Sequence, residues 1–306
     1  MKNSQTSNPP PRLSRRHFLR NLGIGLAAPT LGFAYTTQIE PFWPEFHELS
    51  MPVKNLPSSF EGLRIAHLSD LHVSNSVPVS YIRAVIREVN RLGPDIAFVT
   101  GDLVTRHEGW IDEACDAVAT LQVPTYVSLG NHDYGQLAYK GRIIEVAQEL
   151  QRRLTDAGQM VLRNTAVPLR RGADRLWIMG LEDLWSGRFA PAQAFATLDS
   201  NSPTSATAMP PILALSHNPD TAAALDTYGA SWIFAGHTHG GQICWPDGQP
   251  LFRQDTLPAT MCTGVHRIND TWMIVNRGIG KAGLKMRLFC PPHAVQITLR
   301  SQPNAN

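Results

Sequence analysis

Imidazole, carboxylate and amide side chains fall in five short clusters along the chain: Asp70-Leu71-His72, Gly101-Asp102, Gly130-Asn131-His132-Asp133, Ser216-His217 and Gly236-His237-Thr238-His239. No thiol stands among them, so the mixture suits Mn, Fe or Zn rather than a cysteine-type structural zinc. Asp-x-His and His-x-His put alternate residues on the same side of an extended segment, so both members of each pair can face one centre. One ion is satisfied by three or four ligands. Seven candidates point to two ions, at the spacing of about 3.5–4 Å that clamps the attacking and leaving oxygens of a hydrolytic displacement. Taken singly, each cluster is weak: a Gly-Asp after a strand is usually a turn, and Asn-His-Asp alone could cap a helix. Their joint occurrence in order is the informative signal.

The elements that must position these residues are short apolar runs. Leu63–Leu68, Ile96–Thr100, Thr125–Leu129, Ile212–Leu215 and Trp232–Ala235 each end immediately before one cluster, and each reads as a buried strand. Leu176–Gly180, Trp272–Val275 and Ala294–Leu299 read as further strands. Ligands of an open α/β sheet gather at the carboxyl ends of its strands, which is where all five clusters lie. Glycines before Asp102, Asn131 and His237 allow the sharp turns that bring side chains together. His67, inside a strand, reads as a core histidine. Between the strands, Ile82, Val85, Ile86, Val89 and Leu92 keep helical spacing after Pro78, and Tyr139–Ala157 carries Ile143, Val146, Leu150 and Leu154 on one predicted face. Strand–helix alternation predicts an α/β domain, with Ser200–Pro211 as a surface loop.

The ordered set D-x-H, GD, GNHD, H and GHTH resembles the calcineurin-like metallophosphoesterase superfamily, over about Gly62 to Leu299. The resemblance implies a four-layer α/β sandwich of two mixed β-sheets flanked by helices. It implies that Asp70, His72 and His239 hold a first metal, that Asn131, His217 and His237 hold a second, and that Asp102 bridges them. It makes His132 the non-ligand histidine that serves the transition state or protonates the leaving group, with Asp133 orienting it. The activity implied is hydrolysis of a phosphodiester by a metal-bridging hydroxide; alternatives are a pyrophosphate hydrolase of a nucleotide-linked lipid, a phosphomonoesterase, or a non-catalytic scaffold. The GHTHGGQ run, the NRGIG segment (Asn276–Gly280) and the closing RLFCPPHAVQITL are similar to a bacterial subgroup of exported or membrane-associated phosphodiesterases. That subgroup resembles enzymes cleaving the pyrophosphate of UDP-diacylglucosamine; the chain departs from it at His293, where an acid is usual. Arg277, between a tight turn's residues, suits bidentate recognition of a substrate phosphate. Lys281 and Lys285 fit a solvated loop as well as a site, and Trp110 and Trp185 fit core packing as well as a pocket wall.

The chain has 306 residues, 43% of them hydrophobic and 17% charged, enough for a sizeable core. Its net charge of +2 hides an asymmetry, because residues 1–34 hold five cations (Lys2, Arg12, Arg15, Arg16, Arg20) and no acid. The remainder lacks the basic footprint of a nucleic-acid binder, so no nucleic-acid partner is expected. Arg15–Arg16 with Phe18 and Leu19, before the uncharged stretch Asn21–Thr37, resembles a twin-arginine export signal, with Arg20 where Lys is usual. The apolar run is short for a membrane span. Residues 1–34 are therefore expected to be the signal, 35–60 a Pro-containing connector, 61–300 the catalytic domain and 301–306 a tail. The partners expected are the twin-arginine machinery, a small-molecule or lipid-linked phosphate ester and a membrane surface, with the protein periplasmic or held at the outer face of the inner membrane. The four cysteines, widely spaced and without a CxxC pair, are compatible with two disulfides but read first as core thiols.

Overall fold

The computed structural model describes residues 29–105, 109–198, 209–253 and 255–302, together with Arg16 and Ala27. Most of the expected signal segment, including Arg15, and most of the loop Ser200–Pro211 lie outside the described residues. No helix among the described residues is long and apolar enough to cross a membrane.

The first sheet is built from β1 (Glu45–Val53), β2 (Arg64–Leu68), β3 (Ile96–Thr100), β4 (Thr125–Ser128), β7 (Met160–Val161) and β14 (His293–Ser301), in the order β1-β14-β2-β3-β4-β7. The second takes β8 (Thr165–Arg171), β9 (Asp174–Gly180), β10 (Ile212–Leu215), β11 (Trp232–Ala235), β12 (Gly264–Ile268) and β13 (Thr271–Val275), in the order β12-β13-β11-β10-β9-β8. Both sheets are parallel at their centres and mixed overall, because β14 pairs antiparallel with β2 in the first, and β12 with β13 and β8 with β9 do so in the second.

Strand periodicity of two assigns each side chain to a layer. On β3, Ile96 and Phe98 point between the sheets, whereas Ala97 and Val99 face the helices Val79–Leu92, Ile111–Val118 and Val146–Asp156. On β11, Trp232 and Phe234 point between the sheets, and Ile233 and Ala235 face the helices Pro191–Ala196 and Ala222–Thr227. Three apolar clusters thus separate four layers, helix, sheet, sheet and helix. Phe98 packs edge to face on Phe234 across the inter-sheet layer with ring centroids 4.8 Å apart, which ties the two sheets together.

Two expectations differ in detail. Residues 35–60, read as a connector, contain β1, which pairs in parallel with β14 from Glu45 to Val53. Pro52 is tolerated there because β1 is an edge strand with one side free of ladder bonds. Upstream of β1, the carbonyls of Thr36 and Thr37 accept from Arg287 N (2.8 Å) and Lys281 Nζ (3.2 Å). The second difference is the helical face predicted from Tyr139. β5 (Gln136–Tyr139) and β6 (Arg142–Glu145) form a hairpin instead, closed by Lys140 and Gly141 at φ 47° and 79°. Two successive positive φ values make the tight hairpin turn that a helix cannot contain. Ile143 is consequently exposed, and Val146, Leu150 and Leu154 keep the buried face. All four cysteines are buried thiols.

Candidate metal centre

The clusters converge at the carboxyl ends of β2, β3 and β4 in one sheet and of β10 and β11 in the other. Five of the residues turn back with left-handed backbone: Asp70 (φ 51°), His72 (46°), Asp102 (52°), His237 (70°) and His239 (51°). Non-glycine residues adopt this conformation at a cost, and such strain gathers where function fixes a side chain's direction. Glycine is required beside two of them. A Cβ on Gly130 would lie 2.3 Å from Asp102 Oδ1, and one on Gly236 would lie 2.2 Å from Asp70 Oδ2.

The donor atoms close on one another. Asp102 Oδ2 is 3.3 Å from His72 Nε2 and 3.3 Å from His217 Nε2. His239 Nε2 is 3.1 Å from His72 Nε2 and 3.4 Å from Asp70 Oδ1. Asp70, His72 and His239 therefore form one ligand group, and Asp70, Asp102 and His217 form another. His237 Nδ1 lies 2.9 Å from Asn131 Oδ1, which brings these two together beside the second group. Asp70 is common to both groups, and Asp102 of the second also reaches His72 of the first, with its other oxygen accepting from His132 N at 2.8 Å.

Electrostatics follow from burial and from these neighbours. Burial pushes Asp70 upward, and Asp102 adds to that. Burial opposes ionisation of Asp102 as well, but His217 and His72 hold it well below the usual carboxylate range. In His217 burial is outweighed by Asp102 and Asp70, which raise its pKa well above that of free imidazole. Its Nδ1 donates to Thr100 O at 2.7 Å, so Nε2 is the nitrogen aimed at the centre. Burial drives His237 down to about 3, and burial together with His72 drives His239 well below its ordinary value. Both are held as neutral donors. The buried Nε2 atom of His237 has no hydrogen-bond partner. Buried lone pairs and carboxylates that face one another in this way fit divalent cations.

His132 is half-buried, with its ring 4.9 Å from that of His72 and at 83° to it. Asp133 is fully buried, and its oxygens accept from the backbone amides of Leu103 (2.9 Å), Val104 (3.2 Å) and Gly130 (2.9 Å). Expected to orient His132, it instead pins the loop of Asp102, and Asp102 in turn holds the His132 backbone. Burial and Asp102 raise its pKa to about 7. Arg277 does not join the centre. Its guanidinium is bound to Glu45 Oε2 (2.6 Å) and His293 Nδ1 (3.1 Å), so the expected grip on a substrate phosphate has no geometric support. His67, as read, is a core residue, with Nε2 2.8 Å from Thr100 Oγ1.

A cavity of about 610 Å³ opens over the centre, with Asp102, Asn131, His132, His237 and His239 at its base and Ile243, Phe252 and Leu284 on its walls. Trp110 packs against the first sheet's helical core, whereas Trp185 is exposed beside His237. One residue of the site was not foreseen: Arg287, fully buried, donates to the carbonyls of Gly280 (2.6 Å) and Arg277 (2.7 Å), and its Nη2 lies 3.3 Å from His239 Nδ1. The signal available for it was a lone cation in the apolar run Met286–Phe289.

A family model described as calcineurin-like phosphoesterase matches residues 63–241, more than half the chain. The chain is 31% identical to the UDP-2,3-diacylglucosamine pyrophosphatase LpxG of Chlamydia trachomatis, over 87% of this chain and 92% of that protein. It is 29% identical to the phosphodiesterase YaeI of Escherichia coli, over 94% and 99% of the two chains. It is 28% identical to the uncharacterized metallophosphoesterase YkuE of Bacillus subtilis, over 95% and 99%.

Proposed function

The chain belongs to the calcineurin-like phosphoesterases and is a metal-dependent phosphoric ester hydrolase, and from that premise we propose that it hydrolyses a phosphodiester at a dinuclear centre. The observation that carries this reading is the position of Asp102 Oδ2, at 3.3 Å from an imidazole of each ligand group. One carboxylate so placed would serve two cations. Asp70, His72 and His239 would hold the first, Asn131, His217 and His237 the second, and the nitrogen–oxygen donor set suits Mn, Fe or Zn. Two such cations would supply an activated water and neutralise the negative charge on the phosphoryl oxygens.

The chain's own residues supply the rest. Asp102, fixed by the His132 amide, sets the spacing of the two ligand groups, and Asp133 keeps the loop of Asp102 from moving. His132 stands at the base of the cavity, where its ring can give a proton to a departing alkoxide. The apolar walls Ile243, Phe252 and Leu284 receive one arm of the ester and keep bulk water from it. Those walls, with the likeness to a UDP-2,3-diacylglucosamine pyrophosphatase, favour a second reading in which the bond cut is the pyrophosphate of a nucleotide-linked lipid. Export by the twin-arginine route, to the periplasm or the outer face of the inner membrane, is proposed from Arg15–Arg16 ahead of an apolar stretch.

The test is turnover by metal-loaded protein of bis(p-nitrophenyl) phosphate, p-nitrophenyl phosphate and a UDP-linked diacyl lipid. The diester is expected to be cleaved with at least tenfold higher kcat/KM than the monoester. A faster monoester overturns the diester reading, and cleavage of the lipid alone moves the assignment to the pyrophosphate.

A further inference from the structure

A diester has two arms, and the cavity walls account for one. The other side chain of size at the centre is Trp185, which is not part of those walls. Its indole lies 4.3 Å from the His237 ring, centroid to centroid, with the two planes at 88°. It nevertheless remains 48% exposed. A ring recruited only to pack His237 would bury more of itself, because apolar surface left in water is lost stabilisation.

The turn that carries the ring is held firmly. Buried Asp183 accepts from Ser186 N through Oδ1 at 2.9 Å, and Ser186 Oγ donates to Asp183 O at 2.6 Å. Gly187 N donates to Leu184 O at 3.1 Å. Both flanks are tied to Asn164, whose Nδ2 donates to Glu182 Oε2 (3.0 Å) and Arg188 O (2.8 Å) and whose Oδ1 accepts from Glu182 N (3.1 Å) and Ala190 N (3.2 Å). An exposed indole on so constrained a turn presents a fixed aromatic surface beside a metal-ligating imidazole. Such surfaces stack planar rings at little cost in side-chain entropy.

We propose that Trp185 determines specificity: its open surface stacks a planar group, such as a nucleobase, on the ester arm that does not enter the cavity. The proposal rests on the diester reading above. It makes Trp185 a contact for substrate and gives it no part in holding metal.

The test compares adenosine 5′-monophosphate with ribose 5-phosphate, which offer the centre the same phosphate and differ in the ring. Each is measured as a competitive inhibitor of the metal-loaded full chain and by calorimetric titration. The wild type is expected to bind the nucleotide about tenfold more tightly, an ordinary value for one base on one aromatic ring. In Trp185→Ala that ratio should fall to about one while the affinity for ribose 5-phosphate and the metal content stay unchanged, and Trp185→Phe should recover part of it. The proposal is overturned if the wild type shows no preference, or if the preference survives in Trp185→Ala. It is equally overturned if both affinities fall together with metal, which would make Trp185 packing for His237. Should the wild type cleave no diester while the binding ratio behaves as expected, the diester reading fails and the stacking surface stands.

Discussion

The first sheet sends Asp70, His72, Asp102 and Asn131 to the centre, and the second sends His217, His237 and His239. Every carboxylate comes from one sheet, and three of the four imidazoles proposed as ligands come from the other. Neither sheet alone holds a complete ligand group, because Asp70 and His72 need His239, and Asp102 needs His217. The difference teaches that the apolar layer between the sheets is part of the metal site. Phe98 and Phe234 meet in that layer, directly beneath the strand ends that carry the ligands.

His132 lies at the division between holding metal and doing chemistry, and its replacement is expected to have the largest effect. Lost acid catalysis typically lowers rate by about 10²–10⁴-fold. His132→Ala should lower kcat by about that factor with both metals retained. The deficit should shrink for p-nitrophenol esters, whose leaving group departs without a proton. Equal losses for good and poor leaving groups would restrict His132 to charge stabilisation, and loss of metal would make it a ligand.

The inter-sheet layer comes next. Phe98 is fully buried, so Phe98→Ala should cost about 3–5 kcal/mol of unfolding free energy. If the layer sets the site, the variant should also release metal to a chelator faster than Ala97→Gly, a change on the sheet's helical face. Equal release by the two variants would break the link between the layer and the centre.

His67 sharpens the same comparison through pH. It lies between the sheets with its ring 5.4 Å from Phe234, and burial pushes its pKa from 6.5 to about 3. The unfolded chain takes up this proton near pH 6.5 and the folded chain only near 3. Its contribution to stability is therefore fully present above pH 6.5 and is lost progressively as the pH falls toward 3. The loss should be on the order of a few kcal/mol. Metal-free His67→Gln, which keeps a polar partner for Thr100 Oγ1 without a titrating ring, should show a flatter acid limb in urea unfolding. Identical limbs would remove His67 from the acid response.

The smallest effect is expected at Arg277. Its bond to Glu45 joins the NRGIG segment to the edge strand β1, and Glu45 is 44% exposed, so solvent screens the pair. Arg277→Ala should cost about 1 kcal/mol or less, with KM unchanged. A raised KM at unchanged stability would return Arg277 to the substrate phosphate.

What could be read in the sequence, and what could not, divides along a physical line. Buried parallel strands write themselves as short apolar runs, and the ligands follow at their ends, so the α/β sandwich and the convergence of Asp70, Asp102, Asn131, His217 and His237 were legible. Edge strand β1 was hidden because one free side lets Pro52 stay in it. The hairpin was absorbed in part into a helix from Tyr139 because Ile143 falls three residues before Val146, at helical spacing. Side-chain direction is the least legible quantity. Nothing in the order of residues says that Asp133 turns onto three backbone amides, that Arg277 leaves the centre for Glu45, or that Trp185 rather than Trp110 stands beside a ligand.

The central claim is that one carboxylate from the first sheet serves both cations, and metal stoichiometry tests it most directly. Elemental analysis of purified, fully loaded protein is predicted to give two metals per chain for the wild type, about one for Asn131→Ala with the second position weakened, and neither tightly held for Asp102→Ala. Retention of two tightly bound metals by folded Asp102→Ala would contradict the shared carboxylate, and with it the account of how the two sheets make one site.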